Sequence, residues 1–160
     1  HGWKLDAERF LDARRDSTQV RPEMMTLCAE LATQAQLAVF TNNGDWVIAH
    51  LSRIAPELPR AFGEAIVGSG QMRRWKPQPS AFAACLARLG NFEPADTLFI
   101  DDNAENVAGA RVAGLDALIY TDTAVLRVQL RARGFAEAGV IDPVMNAAQP
   151  ARGSQVDPGP

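Results

Sequence analysis

Four short apolar runs, each closed by small or polar residues, constrain the fold of this chain more than any other feature. They are "AQLAVFT" at 35–41, "EAIVGSG" at 64–70, "DTLFIDD" at 96–102 and "LDALIYTD" at 115–122. Runs of this length are typical of strands that are buried on both faces of a sheet. Helical patterns lie between and around them, at 45–54, 79–89, 104–113 and 123–133. Because strands and helices alternate, the sequence predicts an α/β fold with a parallel sheet and helices on both faces.

The composition is that of one ordinary globular domain. The chain has 160 residues, of which 47% are apolar and 22% charged, and its formal net charge is −3. Because Lys and Arg are spread along the chain, we expect neither a nucleic-acid partner nor a membrane partner. Cys28 and Cys85 lie in helical patterns among apolar neighbours, which favours buried free thiols and a cytoplasmic location. No run reaches the roughly 18 apolar residues of a membrane span.

Polar residues follow all four predicted strands. In an open parallel sheet the residues just past the strand ends gather along one edge, where ligands bind. They are Thr41, Asn42 and Asn43 after the first strand, Ser69 and Gly70 after the second, Asp101 and Asp102 after the third, and Thr121 and Asp122 after the fourth. Other roles remain open for single residues, because Thr41 or Asn43 could cap a helix and Lys76 could be a solvated loop lysine.

Asp101 and Asp102 are the strongest single indication of a site. Two carboxylates about 5 Å apart repel by roughly 3 kcal/mol at an effective dielectric near 20, and a nearby cation removes that cost. Oxygen ligands at a strand end suit Mg²⁺, which takes one or two carboxylates together with waters and substrate phosphate. The helix predicted to begin near Ala104 directs its amino end toward the same edge, which favours an anion there.

Three motifs in this order resemble the haloacid dehalogenase superfamily. They read "LAVFTNN", "RRWKPQPSAF" and "LFIDDNAEN", with "GARVAGLDALIY" following, and the resemblance extends over residues 35–121. It implies a three-layer, Rossmann-like core. The form of the second and third motifs is similar to the phosphatase branch that carries a helical cap. Residues 1–20 would then be the end of that cap, 21–142 the α/β core, and 143–160 a flexible tail.

The resemblance also implies roles for individual residues. Thr41 would donate a hydrogen bond to a phosphate oxygen, with Asn42 lining the same pocket. Lys76 would offset charge on the nucleophile and on the transferring phosphoryl group. Asp102 would be the principal Mg²⁺ ligand and Asp101 would support it or share the ion through water. Asn106 falls where many members carry a further acid, and there it could accept a hydrogen bond from a metal-bound water.

The first motif of that superfamily, an apolar strand ending in Asp-x-Asp, has no counterpart in the sequence. In the superfamily its first Asp forms an aspartyl-phosphate and its strand lies at the centre of the sheet. We therefore expect the nucleophile to lie upstream of this fragment, and the missing segment or another chain to complete the sheet. Without about five buried apolar side chains of that strand, the deficit is of order 10 kcal/mol, which is similar to the whole stability of a domain.

These observations lead to one functional hypothesis and two alternatives. The hypothesis is Mg²⁺-dependent hydrolysis of a small phosphomonoester, such as a sugar phosphate, by the complete protein, with this chain alone inactive. The first alternative is an inactive fragment that serves only as a binding or assembly module. The second is a haloacid dehalogenase, which is less favoured because the sequence keeps both acids, Asp101 and Asp102.

Overall fold

The computed structural model describes residues 6–136, and all four predicted strands are present in it. Each forms only part of its apolar run: β1 is Val39–Thr41, β2 is Ile66–Gly68, β3 is Leu98–Asp101 and β4 is Asp116–Ile119. The helices are α1 Ala7–Ser17, α2 Pro22–Leu31, α3 Asp45–Ala49, α4 Leu51–Ile54, α5 Glu57–Phe62, α6 Ser69–Met72, α7 Pro79–Leu89, α8 Ala104–Val112 and α9 Thr123–Arg131, with a 3₁₀ turn at Pro94–Asp96. The alternation of strands and helices confirms the α/β fold.

The local chemistry of the sequence explains most helix boundaries. Pro22 occupies the first turn of α2, where its missing N–H costs nothing. Asp122 caps α9 by accepting a hydrogen bond from the backbone N–H of Val125 at 2.8 Å. The helix predicted at 45–54 is wrong as one element, because His50 leaves the helical region (φ −108°, ψ 12°) and divides it into α3 and α4.

Strand pairing is parallel throughout the described part of the chain. β1 pairs with β2, where Thr41 is level with Gly68, and β3 pairs with β4, where Asp101 is level with Ile119. Within residues 6–136 these are two separate two-stranded sheets rather than one sheet of four strands. The separation lies between β1 and β3, and the strand that the resemblance places at the centre of the sheet is the one that we expected to be missing.

Helices cover both faces of the β3–β4 sheet. Because side chains alternate along a strand, Ala117 of β4 packs into one buried cluster and Leu118 into another. The first cluster contains residues of α7 and α8, and the second contains residues of α2 and α9. A third cluster joins Leu11 of α1 to Ile54 and Ala55 at the end of α4. The three layers that the sequence predicts are therefore present, and α1 packs beside them.

A cavity of about 510 Å³ lies between the two sheets. Residues 35–40, which lead into and include most of β1, line one side, and residues 96–100, which lead into and include most of β3, line the other. Phe82, Cys85, Leu86 and Leu89 of α7 lie along the same space. We call it the central cavity. The edges of β1 and β3 that face it have no strand partner among residues 6–136.

Two further expectations concern the cysteines and the chain ends. Cys28 and Cys85 are free thiols, as predicted, although Cys28 is only partly buried. Among residues 6–136 no helix is both long and apolar enough to cross a membrane. The flexible tail predicted at 143–160 lies outside the described residues.

Candidate active site

The ends of β1 and β3 meet at the Lys76 side chain. Its ammonium donates to Oδ2 of Asp101 at 2.7 Å and to the backbone carbonyl of Phe40 at 2.9 Å. The rings of Phe40 and Phe99 flank it, each with its centroid 5.3 Å from Nζ. The side chains of Lys76 and Asp101 are each only 9% exposed. The Lys76 side chain is therefore largely buried and ion-paired, and the solvated-loop alternative is wrong.

One N–H bond of the Lys76 ammonium has no acceptor among residues 6–136. An ammonium group has three N–H bonds, and the residues described here accept two of them. The third can donate to a ligand at the strand ends. Low exposure and the two aromatic neighbours lower the local dielectric, which strengthens the interaction of this positive charge with an anion.

The loop that carries Lys76 is held from two sides. The amide of Asn42 donates to the Lys76 carbonyl at 2.9 Å and accepts from the Lys76 N–H at 2.9 Å. On the other side α8 approaches so closely that a Cβ on Gly109 would lie 2.0 Å from the carbonyl oxygen of Pro77. Asn42 thus positions the lysine loop, and its role in lining a phosphate pocket stays a prediction.

Asp101 is held in its ionised form. Its Oδ1 accepts hydrogen bonds from the Asn103 N–H at 2.9 Å and from the Asn106 amide at 3.0 Å. Burial acts to raise the pKa of Asp101, but the Lys76 ammonium and these two donors outweigh burial, so the net pKa lies below its usual value. Much of the charge that we expected a metal to offset is therefore offset by Lys76.

Asp102 differs from its neighbour in having no such partners. It is exposed, and within residues 6–136 its carboxylate makes neither a hydrogen bond nor an ion pair. Asn103 caps α8 by accepting from the N–H groups of Glu105 and Asn106, so Asp102 is not needed as a cap. Its oxygens remain available to a ligand.

The donor set fits Mg²⁺ bound partly by the protein. Among the described residues there is no group of three or more His, Cys, Asp or Glu side chains that could surround a metal. Mg²⁺ does not need one, since it binds through one or two carboxylates and retains waters. Asp102 offers a free carboxylate and Asp101 a paired one, while Asn106 contacts Asp101 directly. The roles of all three as metal ligands stay predictions.

Thr41 forms the third part of the site. Its hydroxyl oxygen accepts a hydrogen bond from the side-chain amide of Asn43 at 2.7 Å. The N-cap of α3 is Gly44, which has no side-chain cap, so neither Thr41 nor Asn43 plays the capping role that was open from the sequence. Arg14 of α1 reaches the same amide, with Nη2 3.2 Å from the Asn43 Oδ1.

Sequence reasoning missed Arg14. It lies on a helix with an ordinary amphipathic pattern, beside Arg15, and no motif distinguishes the two arginines. Arg15 forms surface ion pairs with Asp12 and Asp16, whereas Arg14 is partly buried and points to the β1 loop. The contact joins residues 29 positions apart, so only the packing of α1 reveals it.

Comparisons with known proteins identify the family of this chain and its fold. The family model described as haloacid dehalogenase-like hydrolase matches residues 3–114. A phosphoglycolate phosphatase of Chromobacterium violaceum is 27% identical, over 85% of this chain and 62% of its own length. This chain thus spans less than two thirds of that relative.

Solved structures show the same fold. A predicted hydrolase of this family from Porphyromonas gingivalis superposes with a TM-score of 0.66 at 23% identity, covering 81% of this chain and 66% of the other. An enzyme of the family from Bacteroides thetaiotaomicron, solved with magnesium and inorganic phosphate, gives a TM-score of 0.60 at 21% identity, covering 74% and 62%. At this level of identity the likeness extends to the fold.

Proposed function

We propose that this chain, which belongs to the haloacid dehalogenase-like hydrolase family, supplies the phosphate-binding, lysine and metal-binding parts of a Mg²⁺-dependent phosphomonoester hydrolase. The observation that carries the proposal is the position of Lys76. Its buried ammonium lies where β1 and β3 end, paired with Asp101 and retaining one donor. A dianionic phosphoryl group is the ligand that this charge and geometry favour.

Each residue has a defined task in this proposal. The Thr41 hydroxyl and the free N–H of Lys76 donate to phosphoryl oxygens and stabilise the charge that develops during transfer. Asp101 holds Lys76 in place, and Asn42 holds the lysine loop. Asp102, supported by Asp101 and Asn106, would hold Mg²⁺, which when bound neutralises phosphate charge and orients the substrate.

The nucleophile is proposed to be an aspartate upstream of this chain, acting through an aspartyl-phosphate intermediate. Two observations support an additional central strand that carries it. The edges of β1 and β3 facing the central cavity are unpaired within residues 6–136. The Chromobacterium relative also has residues that this chain does not cover.

The substrate class is a small phosphorylated metabolite. The name of the Chromobacterium relative, a phosphatase of a small phosphorylated acid, supports this class, and a sugar phosphate also falls within it. The free thiols of Cys28 and Cys85 are consistent with a cytoplasmic location.

One observation favours a second candidate, an inactive module for binding or assembly. The central cavity leaves two strand edges open, and an open edge can pair with another chain. A haloacid dehalogenase is less favoured, because a charged Asp101 and a free Asp102 suit a cation and a phosphate better than a metal-free displacement of halide.

Hydrolysis of a generic aryl phosphate by the complete protein, with Mg²⁺ and then with EDTA, separates these candidates. We expect turnover that requires Mg²⁺ and is abolished by Lys76→Ala and by Asp102→Ala. Asp12→Ala, at an exposed acid on α1, serves as the matched control and should leave turnover unchanged. Turnover that survives both site substitutions would rule out the site, and absence of turnover in the unaltered complete protein would favour the inactive module.

A further inference from the structure

A chain of two hydrogen bonds links α1 to the proposed phosphate site. Arg14 Nη2 lies 3.2 Å from the side-chain oxygen of Asn43, and the side-chain nitrogen of Asn43 lies 2.7 Å from the Thr41 hydroxyl oxygen. The first residue belongs to a helix outside the α/β core, and the last ends β1. A residue of α1 thus contacts the loop that would receive phosphate.

Arg14 determines which way the Asn43 amide faces. The oxygen and nitrogen of an amide are interchangeable in shape, so its orientation is set by its partners. A guanidinium can only donate hydrogen bonds, which requires that Asn43 present its oxygen to Arg14. The amide nitrogen is then directed at Thr41.

The direction of this second hydrogen bond has a consequence for Thr41. A hydroxyl has one hydrogen, and the Thr41 oxygen is already an acceptor from Asn43. Its own hydrogen must therefore point elsewhere and is available to a phosphoryl oxygen. With the amide reversed, Asn43 would accept that hydrogen and Thr41 would offer the ligand only lone pairs.

Arg14 is the group that sets the orientation of the Asn43 side-chain amide, because the backbone around Asn43 is already held in place. The backbone carbonyl of Asn43 accepts from the Gly70 N–H at 3.1 Å and from the Ser69 hydroxyl at 3.3 Å, so the loop itself is fixed. On the other side Leu11 buries α1 against the end of α4. Only the side-chain torsion of Asn43 is left to be set.

The groups packed around Arg14 do not accept all of its hydrogen-bond donors. Its Nε is buried and has no hydrogen-bond partner among residues 6–136. A buried donor without an acceptor is unfavourable for folding.

We propose that Arg14 is a positioning residue which, through Asn43, turns the Thr41 hydroxyl toward the bound phosphoryl group. This inference rests on the proposed function, since it assumes that phosphate binds at the end of β1. Arg14 acts here through Asn43 rather than by touching the substrate. It makes α1 part of the phosphate site as well as a neighbour of the core.

The test is a double-mutant cycle of Arg14 and Thr41. The quantity measured is the affinity of the complete protein for inorganic phosphate in the presence of Mg²⁺, by titration calorimetry. Arg14→Met and Thr41→Val should each weaken binding by at least about tenfold, the value of one hydrogen bond to a charged group. The double variant should bind no more weakly than Thr41→Val alone, because both changes remove the same donor. Arg14→Lys should restore most of the affinity, and Arg15→Met is the matched control, expected to have no effect.

The outcomes separate the two claims. If the unaltered protein does not bind phosphate, the proposed function fails. If it binds phosphate but Arg14→Met has no effect, or weakens binding equally with and without the Thr41 hydroxyl, the inference alone is overturned. The second result would mean a direct charge effect or a general structural one.

A second variant covers the case in which Arg14→Met does not fold. Asn43→Asp keeps an acceptor for Arg14, but a carboxylate can only accept the hydrogen of Thr41. Phosphate binding should weaken, and the loss should be smaller in the Thr41→Val background, where only the added charge acts. An equal loss in both backgrounds would overturn the inference.

Discussion

Replacing Lys76 with methionine tests the buried ion pair on which the site depends. Methionine keeps an unbranched apolar stem between the rings of Phe40 and Phe99 but removes the ammonium. Asp101 then loses its partner at 2.7 Å while remaining 9% exposed. The change therefore isolates the charge pair from the packing around it.

The expected loss of stability is large for one residue. Removing one partner of a buried ion pair costs about 3–5 kcal/mol, because the other charge stays buried without compensation. Asp101 keeps its hydrogen bonds from Asn103 and Asn106, so we expect a loss of about 3 kcal/mol at pH 7, the lower end of that range. The proposed nucleophile would add a further carboxylate beside Lys76, so the loss in the complete protein should not be smaller.

The pH dependence gives this prediction a signature. In the unaltered protein the pKa of Asp101 is lowered on folding, so its contribution to stability is present above about pH 4 and is lost as pH falls below it. Without Lys76, we expect burial, which is the largest influence on the pKa of Asp101, to outweigh the hydrogen bonds from Asn103 and Asn106 and to raise the folded pKa. Protonated Asp101 is then tolerated in the fold, and the variant loses stability as pH rises through that folded pKa. The free-energy difference between the two proteins should therefore grow from about pH 4 to pH 7.

Urea unfolding of the complete protein and its variants at several pH values between 4 and 7.5 measures this difference. Lys76→Met combined with Asp101→Asn removes both charges, and this double variant should regain most of the stability and lose the pH dependence. A loss that is constant over the whole pH range, or a double variant as unstable as the single one, would mean that the Lys76–Asp101 ion pair does not stabilise the fold in this way.

Two further predictions concern the packing around the site. Gly109→Ala places a methyl group 2.0 Å from the Pro77 carbonyl oxygen, so the lysine loop must move. Phosphate affinity should then fall at least about tenfold, as for the loss of a charged hydrogen bond. Gly44→Ala, at a glycine with φ −75° and open space around it, is the control, and equal affinities in the two variants would contradict the close contact. Burial raises the pKa of the Cys85 thiol to about 11, and this thiol lines the central cavity. In a Cys28→Ser background, iodoacetamide should modify it faster in the 160-residue chain than in the complete protein, and equal rates would mean that upstream residues do not fill the cavity.

The fold was largely predictable because its signals are local. Each apolar run between turn residues produced a strand, and the pattern at 79–89 produced α7 with its bounds unchanged. The break at His50 was not predictable, since the helical pattern continues through it. The short helices α5 and α6 were also missed, because four to six residues give too little periodicity.

The site residues that belong to a sequence motif were predictable. The side-chain partners that depend on tertiary contacts were not. The predicted strand ends placed Thr41 and Asp101 at one edge of the sheet. Lys76 was assigned to the site by the resemblance to the haloacid dehalogenase superfamily. The partners of each side chain required the structure: Asp101 binds the Lys76 ammonium, and Arg14 arrives from a helix 29 positions before Asn43. Contacts between residues so far apart in the chain produce no pattern in the sequence from which they could be predicted.

We propose that this chain holds one side of a phosphatase site and that an upstream segment holds the other. The most direct test is Mg²⁺-dependent hydrolysis of an aryl phosphate by the complete protein and by the 160-residue chain, assayed side by side. We expect turnover by the complete protein that EDTA abolishes, and none by the chain alone. Equal turnover by the two, or none by the complete protein, would contradict it.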